Sequence, residues 1–193
     1  MRYRLCLIVL AIVVVGACES KTVDSIPLAS ALTRAAVGHY CHMIVIDHPG
    51  PKAQIHLRST NEPMWFSSVR DAIAFTRLPE EPNDIVAIYV HDMSGYKDWK
   101  KPPGKWININ DAVLVIDSGM RGGMGAREAV PFSSEEAAAA FIETMGGRSI
   151  RLDEIPDDYI LGSDIEPTHE DSGHDHSMAP VPDALDPAQW VLR

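Results

Sequence analysis

Cys41, His42 and Met43 follow one another in the stretch HYCHMIVIDH, residues 39–48. A thiolate and a thioether are soft donors that suit Cu(I), whereas hard cations such as Ca²⁺ or Mg²⁺ take oxygen ligands. On a strand, residues i and i+2 share a face, so Cys41 and Met43 would project together and His42 away from them. Two readings of that pair stand open: part of a Cu(I) site, or a core methionine with a small apolar cysteine just ahead of its strand. Further soft donors lie in DSGMRGGMGAREAVPF, where Met120 and Met124 occupy a loop with Gly119, Gly122, Gly123 and Gly125. Glycines let such a loop close on a ligand. No Lys-Ser/Thr pair follows them, which excludes a phosphate-cradling loop. Zinc would call for Cys and His at fixed spacings, and the chain offers no such framework. Near the C-terminus, His169, His174, His176 and Met178 form a tract that could gather copper or zinc loosely, beside the plainer reading of freely titrating surface histidines.

What Cys41 can do depends on where the chain lives. Its opening, MRYRLCLIVLAIVVVGACESK, places Arg2 and Arg4 ahead of an apolar run from Leu5 to Val15. That run is too short to span a bilayer and reads as a secretory signal over residues 1–17. Val15-Gly16-Ala17-Cys18 resembles a bacterial lipobox, a signal cut before the cysteine, whose thiol is then lipidated. Cys18 would thus anchor the chain on the periplasmic side of a bacterial membrane. Glu19 is not the aspartate associated with inner-membrane retention, which favours the outer membrane. Of three cysteines, Cys6 leaves with the signal and Cys18 takes the lipid, so Cys41 is the only thiol of the expected mature chain. An unpaired cysteine in an oxidising compartment calls for an explanation. Removing Arg2 and Arg4 moves the formal charge from −10 to −12. That balance argues against nucleic acid and against anionic membrane surfaces as partners.

The elements that must position these donors can be read from period and punctuation. Residues 18–36 lack a sustained period and read as a lipid-anchored linker. Residues 41–48 alternate as a strand, HPGP at 48–51 is a turn, and KAQIHL returns as a second strand. Ser67-Ser68 can cap a helix through Val69, Ala72, Ile73 and Phe75, and DIVAIYV at 84–90 is a further strand. The second half repeats this order: AVLVID at 112–117, the glycine-rich loop into EAVPFS, a helix EEAAAAFIET capped by Ser133 or Ser134, and RSIRLDEI as a last strand. FSSVRDAIAF at 66–75 and FSSEEAAAAF at 132–141 agree at six positions with a constant offset, as a duplicated unit would. The expected fold class is therefore α+β: two small similar ββαβ units, residues 37–92 and 106–162, joined by a polar connector at 93–105. Residues 163–193, rich in Asp, Pro and His, read as an acidic disordered tail.

The lipobox, CHMIVIDHPGPKAQIH, IVAIYVHDM and GMRGGMGAREAVPF before an alanine-rich helix together resemble the NosL family, over residues 39 to about 155. The resemblance implies a Cu(I)-binding metallochaperone lipoprotein that supplies copper for the copper centres of nitrous oxide reductase. Its partners would be that reductase or its membrane assembly complex, and its body two similar ββαβ units. Carried over by motif, the copper ligands are Cys41 and Met43 of Cys-x-Met and Met124 of the Met-Gly step; Met120 falls outside the matched pattern. The family's middle residue is commonly glycine, and here it is His42, a possible added imidazole donor, with His39 close enough to compete. Enzyme readings find no support. Neighbouring Cys and His on a strand face opposite ways, and neither a G-x-S-x-G elbow nor a base-orienting constellation is present. Two other readings remain: a docking scaffold of the reductase assembly complex that binds copper only incidentally, and a metal scavenger led by the histidine-rich tail.

Overall fold

The computed structural model describes residues 26–102 and 104–162. The expected signal, Cys18, and the tail donors His169, His174, His176 and Met178 lie outside the described residues. Strands β1 (Ala53–Leu57), β2 (Met64–Phe66), β3 (Ile85–His91) and β4 (Trp106–Asn108) form one antiparallel sheet in the order β2-β1-β3-β4. Strands β5 (Val113–Ile116), β6 (Val130–Phe132) and β7 (Arg148–Ile150) form a second, in the order β6-β5-β7. Helix α1 (Val69–Phe75) joins β2 to β3, and α2 (Glu135–Met145) joins β6 to β7. A last short helix, α3 (Asp157–Leu161), packs against α1.

The duplicated FSS letters have equivalent structural jobs. Phe66 and Phe132 end β2 and β6, while Ser68 and Ser134 cap the helices by accepting from the backbone N–H of Asp71 and Ala137. Each cap satisfies an amide that the first helical turn leaves without a partner. Alternation along the strands then sorts the cores. Ala53, Ile55, Ile88 and Val90 meet Val69, Ala72 and Ile73 of α1, with Leu114 and Ile116 from the second sheet closing the same cluster. The other face of that sheet, Val113, Val115, Val130 and Phe132, packs on Ala138 and Phe141 of α2. Each buried Val, Leu, Ile or Phe among them contributes about 1.5–3 kcal/mol relative to exposure.

Four sequence expectations are corrected. Residues 41–48 are not a strand: β1 already has β2 on one edge and β3 on the other, leaving no edge for them. They form instead a closed loop and a 3₁₀ turn at Val45–Asp47, in which Val45 alone is buried. Trp106–Asn108, expected in the second unit, pairs with β3 through Tyr89↔Asn108 and His91↔Trp106, and so extends the first sheet. The last strand stops at Ile150 and is followed by a 3₁₀ turn at Leu152–Glu154. Part of the expected linker is a strap across the first sheet. The Gln54 amide accepts from Ser30 N at 2.7 Å and donates to Ser30 O at 3.0 Å, and the Tyr89 hydroxyl donates to Pro27 O at 2.8 Å. This strap is why Gln54 and His56, on the face of β1 away from the core, are buried.

Candidate metal centre

The segment carrying Cys41 is a loop closed at its neck. Gly38 N donates to Met43 O at 2.9 Å, Val45 N to Ala36 O at 3.0 Å, and Val37 bridges Ile44. His39 N donates to Trp65 O at 2.7 Å, fastening the loop to β2. The His39 ring packs near Phe66 and Phe75, with Nε2 at 3.3 Å from Glu81 Oε1, so its side chain serves as an anchor. Inside the loop His42 N donates to Gly38 O at 2.9 Å, and His42 itself is exposed with φ 53°. This left-handed conformation favours glycine, which gives a physical reason for the glycine that the family resemblance led one to expect there. A side chain at Gly38 would place its Cβ 2.5 Å from Cys41 Sγ, so glycine is needed for the thiol to lie over the backbone. Cys41 is half-buried and unpaired, and Ser67 Oγ donates to its sulfur at 3.8 Å.

Met124 sits at the apex of a second small loop. Arg121 bridges Arg127, Gly122 N donates to Ala126 O at 2.9 Å, and Gly125 N donates to Gly122 O at 3.0 Å. Three contacts press this loop onto the first unit and the connector. The His48 ring holds Nδ1 3.0 Å from Gly123 O, and Trp99 Nε1 donates to Arg121 O at 2.9 Å. Trp99 in turn accepts through its carbonyl from Gly50 N at 2.8 Å. The third contact is backbone on backbone: a Cβ at Gly123 would fall 2.6 Å from Ser67 O. Ser67 is thus the meeting point, touching Cys41 through its hydroxyl and Gly123 through its carbonyl. Met43 and Met124 stay 44 % and 51 % exposed.

Behind this contact Glu128 is fully buried. Its Oε1 accepts from Arg70 N and Ala129 N at 3.0 Å and from Ser68 Oγ at 3.2 Å. Oε2 has no partner among the described residues, and a Cβ at Gly122 would come within 2.5 Å of it. Burial pushes the carboxyl up to about 8, so it is largely protonated at neutral pH. It bolts the start of the Met124 loop's return strand to the start of α1.

Ser67 thus lies against both the Cys41 thiol and the backbone of Gly123, the neighbour of Met124 in the chain, and Met43 is on the same small loop as Cys41. Met120, by contrast, packs against the core cluster of the second sheet. Among the described residues no three His, Cys, Asp or Glu side chains converge as a metal-holding group. A thiol and exposed thioethers are donors that suit a soft, low-coordinate ion over zinc or calcium. The sequence reading missed Ser67, His48, Trp99 and Glu128. Ser67 reads there only as a candidate helix cap, and nothing local marks the other three, whose partners come from the other unit or the connector.

Comparisons with known proteins identify relatives of the whole described body. A family model described as NosL matches residues 29–160. The copper-binding lipoprotein NosL of Achromobacter cycloclastes is 44 % identical over 162 residues, covering 83 % of this chain and 83 % of the relative. The protein of the same description from Stutzerimonas stutzeri is 34 % identical over 141 residues, covering 72 % and 70 %. The crystal structure of the copper chaperone NosL from Shewanella denitrificans aligns with a TM-score of 0.62 at 35 % identity, over 67 % of this chain and 96 % of that one.

Proposed function

The chain belongs to the NosL family, and on that footing we propose that it carries Cu(I) as cargo for the copper centres of nitrous oxide reductase, tethered to the periplasmic face of a membrane by lipid on Cys18. The names of its relatives, copper-binding lipoproteins and a copper chaperone, support copper as the cargo. The observation that carries the reading is that Ser67 touches the half-buried Cys41 thiol through its hydroxyl and the Met124 loop at Gly123 through its carbonyl, while Met43 and Met124 are exposed.

Each group has a physical role in loading and release. Cys41 supplies the anionic sulfur, so uptake of Cu(I) releases the thiol proton. The Ser67 hydroxyl donates to that sulfur and steadies its charge. Met43 and Met124 are neutral soft donors whose exposure leaves one side of the ion open, so an acceptor's ligand can enter before a thioether leaves. His48, Trp99 and Glu128 fix the Met124 loop against the thiol, as outer residues commonly fix metal ligands. His42 stands exposed next to the thiol and could lend its imidazole during exchange. The acceptor is the reductase or its membrane assembly complex, the outer membrane is the favoured anchor, and no step makes or breaks a covalent bond in a substrate.

An anaerobic Cu(I) titration against a competing chelator tests this. The expected result is one tight Cu(I), lost in Cys41→Ser, weakened in Met124→Leu, and retained when the chain ends at Gly162. Weak binding, or binding that follows the tail instead of Cys41, would discard the carrier reading and leave a docking scaffold or a scavenger.

A further inference from the structure

The outer face of the first sheet carries a polar row that the copper chemistry does not use. His91 N donates to Lys52 O at 3.0 Å, and Trp106 is the register partner of His91 on β4. Lys52, His91 and Trp106 therefore lie side by side across three chain segments. Over them, between strap residues 29–32 and the stretch Lys100–Pro102, opens a cleft of about 640 Å³. Among the described residues its lining includes Lys52, Lys100 and Lys101 and no Asp or Glu, in a chain of formal charge −10. Leu32, Ile46 and Trp106 supply apolar walls.

Two groups at the floor are built to meet a polar ligand. His91 is 2 % exposed, its ring lies 4.0 Å from that of Trp106, and neither ring nitrogen has a partner among the described residues. Leaving such a group unsatisfied is costly, so it favours any ligand that supplies the missing contact. Lys52 is 1 % exposed, and its ammonium donates to Pro49 O at 2.9 Å and to Gly50 O. An ammonium has three donors, so one is left over from these two carbonyls.

We propose that this cleft is a second binding site, separate from the copper site, for a small carboxylate with a flat apolar body. The carboxylate accepts from Lys52 and from the His91 ring, and the body rests against Trp106 and Ile46. Exposed Lys100 and Lys101 at the rim draw the anion in. Burial and the charge on Lys52 keep the His91 imidazole neutral at pH 7, so one nitrogen donates and the other accepts. A hydroxyl beside the carboxylate would satisfy both. The walls are apolar and the donors few, which suits a carboxylate on an organic body better than a bare phosphate.

The test is a titration of the metal-free full chain, with histidine nitrogens labelled for NMR, using benzoate as the probe and benzamide as its uncharged counterpart. Benzoate should shift the His91 ring signals saturably, and benzamide should bind about tenfold more weakly for want of a charge-assisted contact. Lys52→Met should weaken benzoate about tenfold, and Lys101→Glu, an exposed change at the rim, several-fold by charge repulsion. No saturable His91 shift, equal binding of benzamide, or wild-type affinity in both variants would each overturn the proposal.

Discussion

Glu128→Gln should abolish a pH dependence of stability that wild type carries. In the fold the carboxyl is neutral until about pH 8, whereas in the unfolded chain it ionises near 4.5. Between those values unfolding releases a proton, so stability is fullest below 4.5, falls as pH rises, and is lost by the time the folded group titrates. The slope is about 1.4 kcal/mol per pH unit, or about 4–5 kcal/mol across the window. Glutamine keeps the Oε1 acceptor for Arg70 N, Ala129 N and Ser68 Oγ but cannot ionise. It places an NH₂ where Oε2 has no partner, at a cost of about 1 kcal/mol. The variant should therefore be slightly less stable than wild type at pH 5 and several kcal/mol more stable at pH 8. Denaturant unfolding at pH 5, 6, 7 and 8 measures both. His91, lowered to about 3, is not coupled to Glu128 and cancels in the difference. Lys52, lowered to about 8 by burial, is raised by the Glu128 charge, so the slope between pH 5 and 7, below the Lys52 titration, isolates the carboxyl. Parallel profiles would refute the reasoning, since they would mean that Glu128 is already ionised in the fold at neutral pH.

Two further substitutions probe the metal loops. His42→Gly should raise stability by about 0.5 kcal/mol, because relief of the left-handed φ outweighs the extra entropy of an unfolded glycine. Cu(I) affinity should stay within about twofold; a larger loss in chelator competition would make His42 a ligand. Gly123→Ala should cost about 1–3 kcal/mol in thermal unfolding, since its Cβ meets Ser67 O at 2.6 Å and His48 Cβ at 2.9 Å. It should also weaken Cu(I) binding by lifting Met124 away from Cys41, and unchanged affinity would separate the Met124 loop from the site.

The repeat was legible because it rests on local physics. FSS followed by an apolar face reads as a strand end, a cap and a helix in both halves, and Ser68 and Ser134 do cap. The apolar letters of β1, β3 and β5 likewise announced buried strands. Strand partners were not legible in the same way. Residues 41–48 have strand-like letters, yet β1 had both edges filled from elsewhere, and pairing is a competition that one segment's composition does not reveal. Trp106–Asn108 went to the first sheet for the same kind of reason, its partner being β3.

The sequence alone determined which side chains could bind a soft ion: one thiol left in the expected mature chain, a methionine two places on, and methionines in a glycine-rich loop. Donor type is a property of the residue and needs no fold to be read. Only the tertiary structure decided that Cys41 and the backbone of Gly123 both lie against Ser67, that Met120 packs against a core cluster and that His39 is held by Glu81. Those outcomes depend on contacts between residues far apart in the chain, such as Gly123 on Ser67 and Glu128 on the start of α1. Such contacts form only when the two sheets pack, and no local period or motif encodes them.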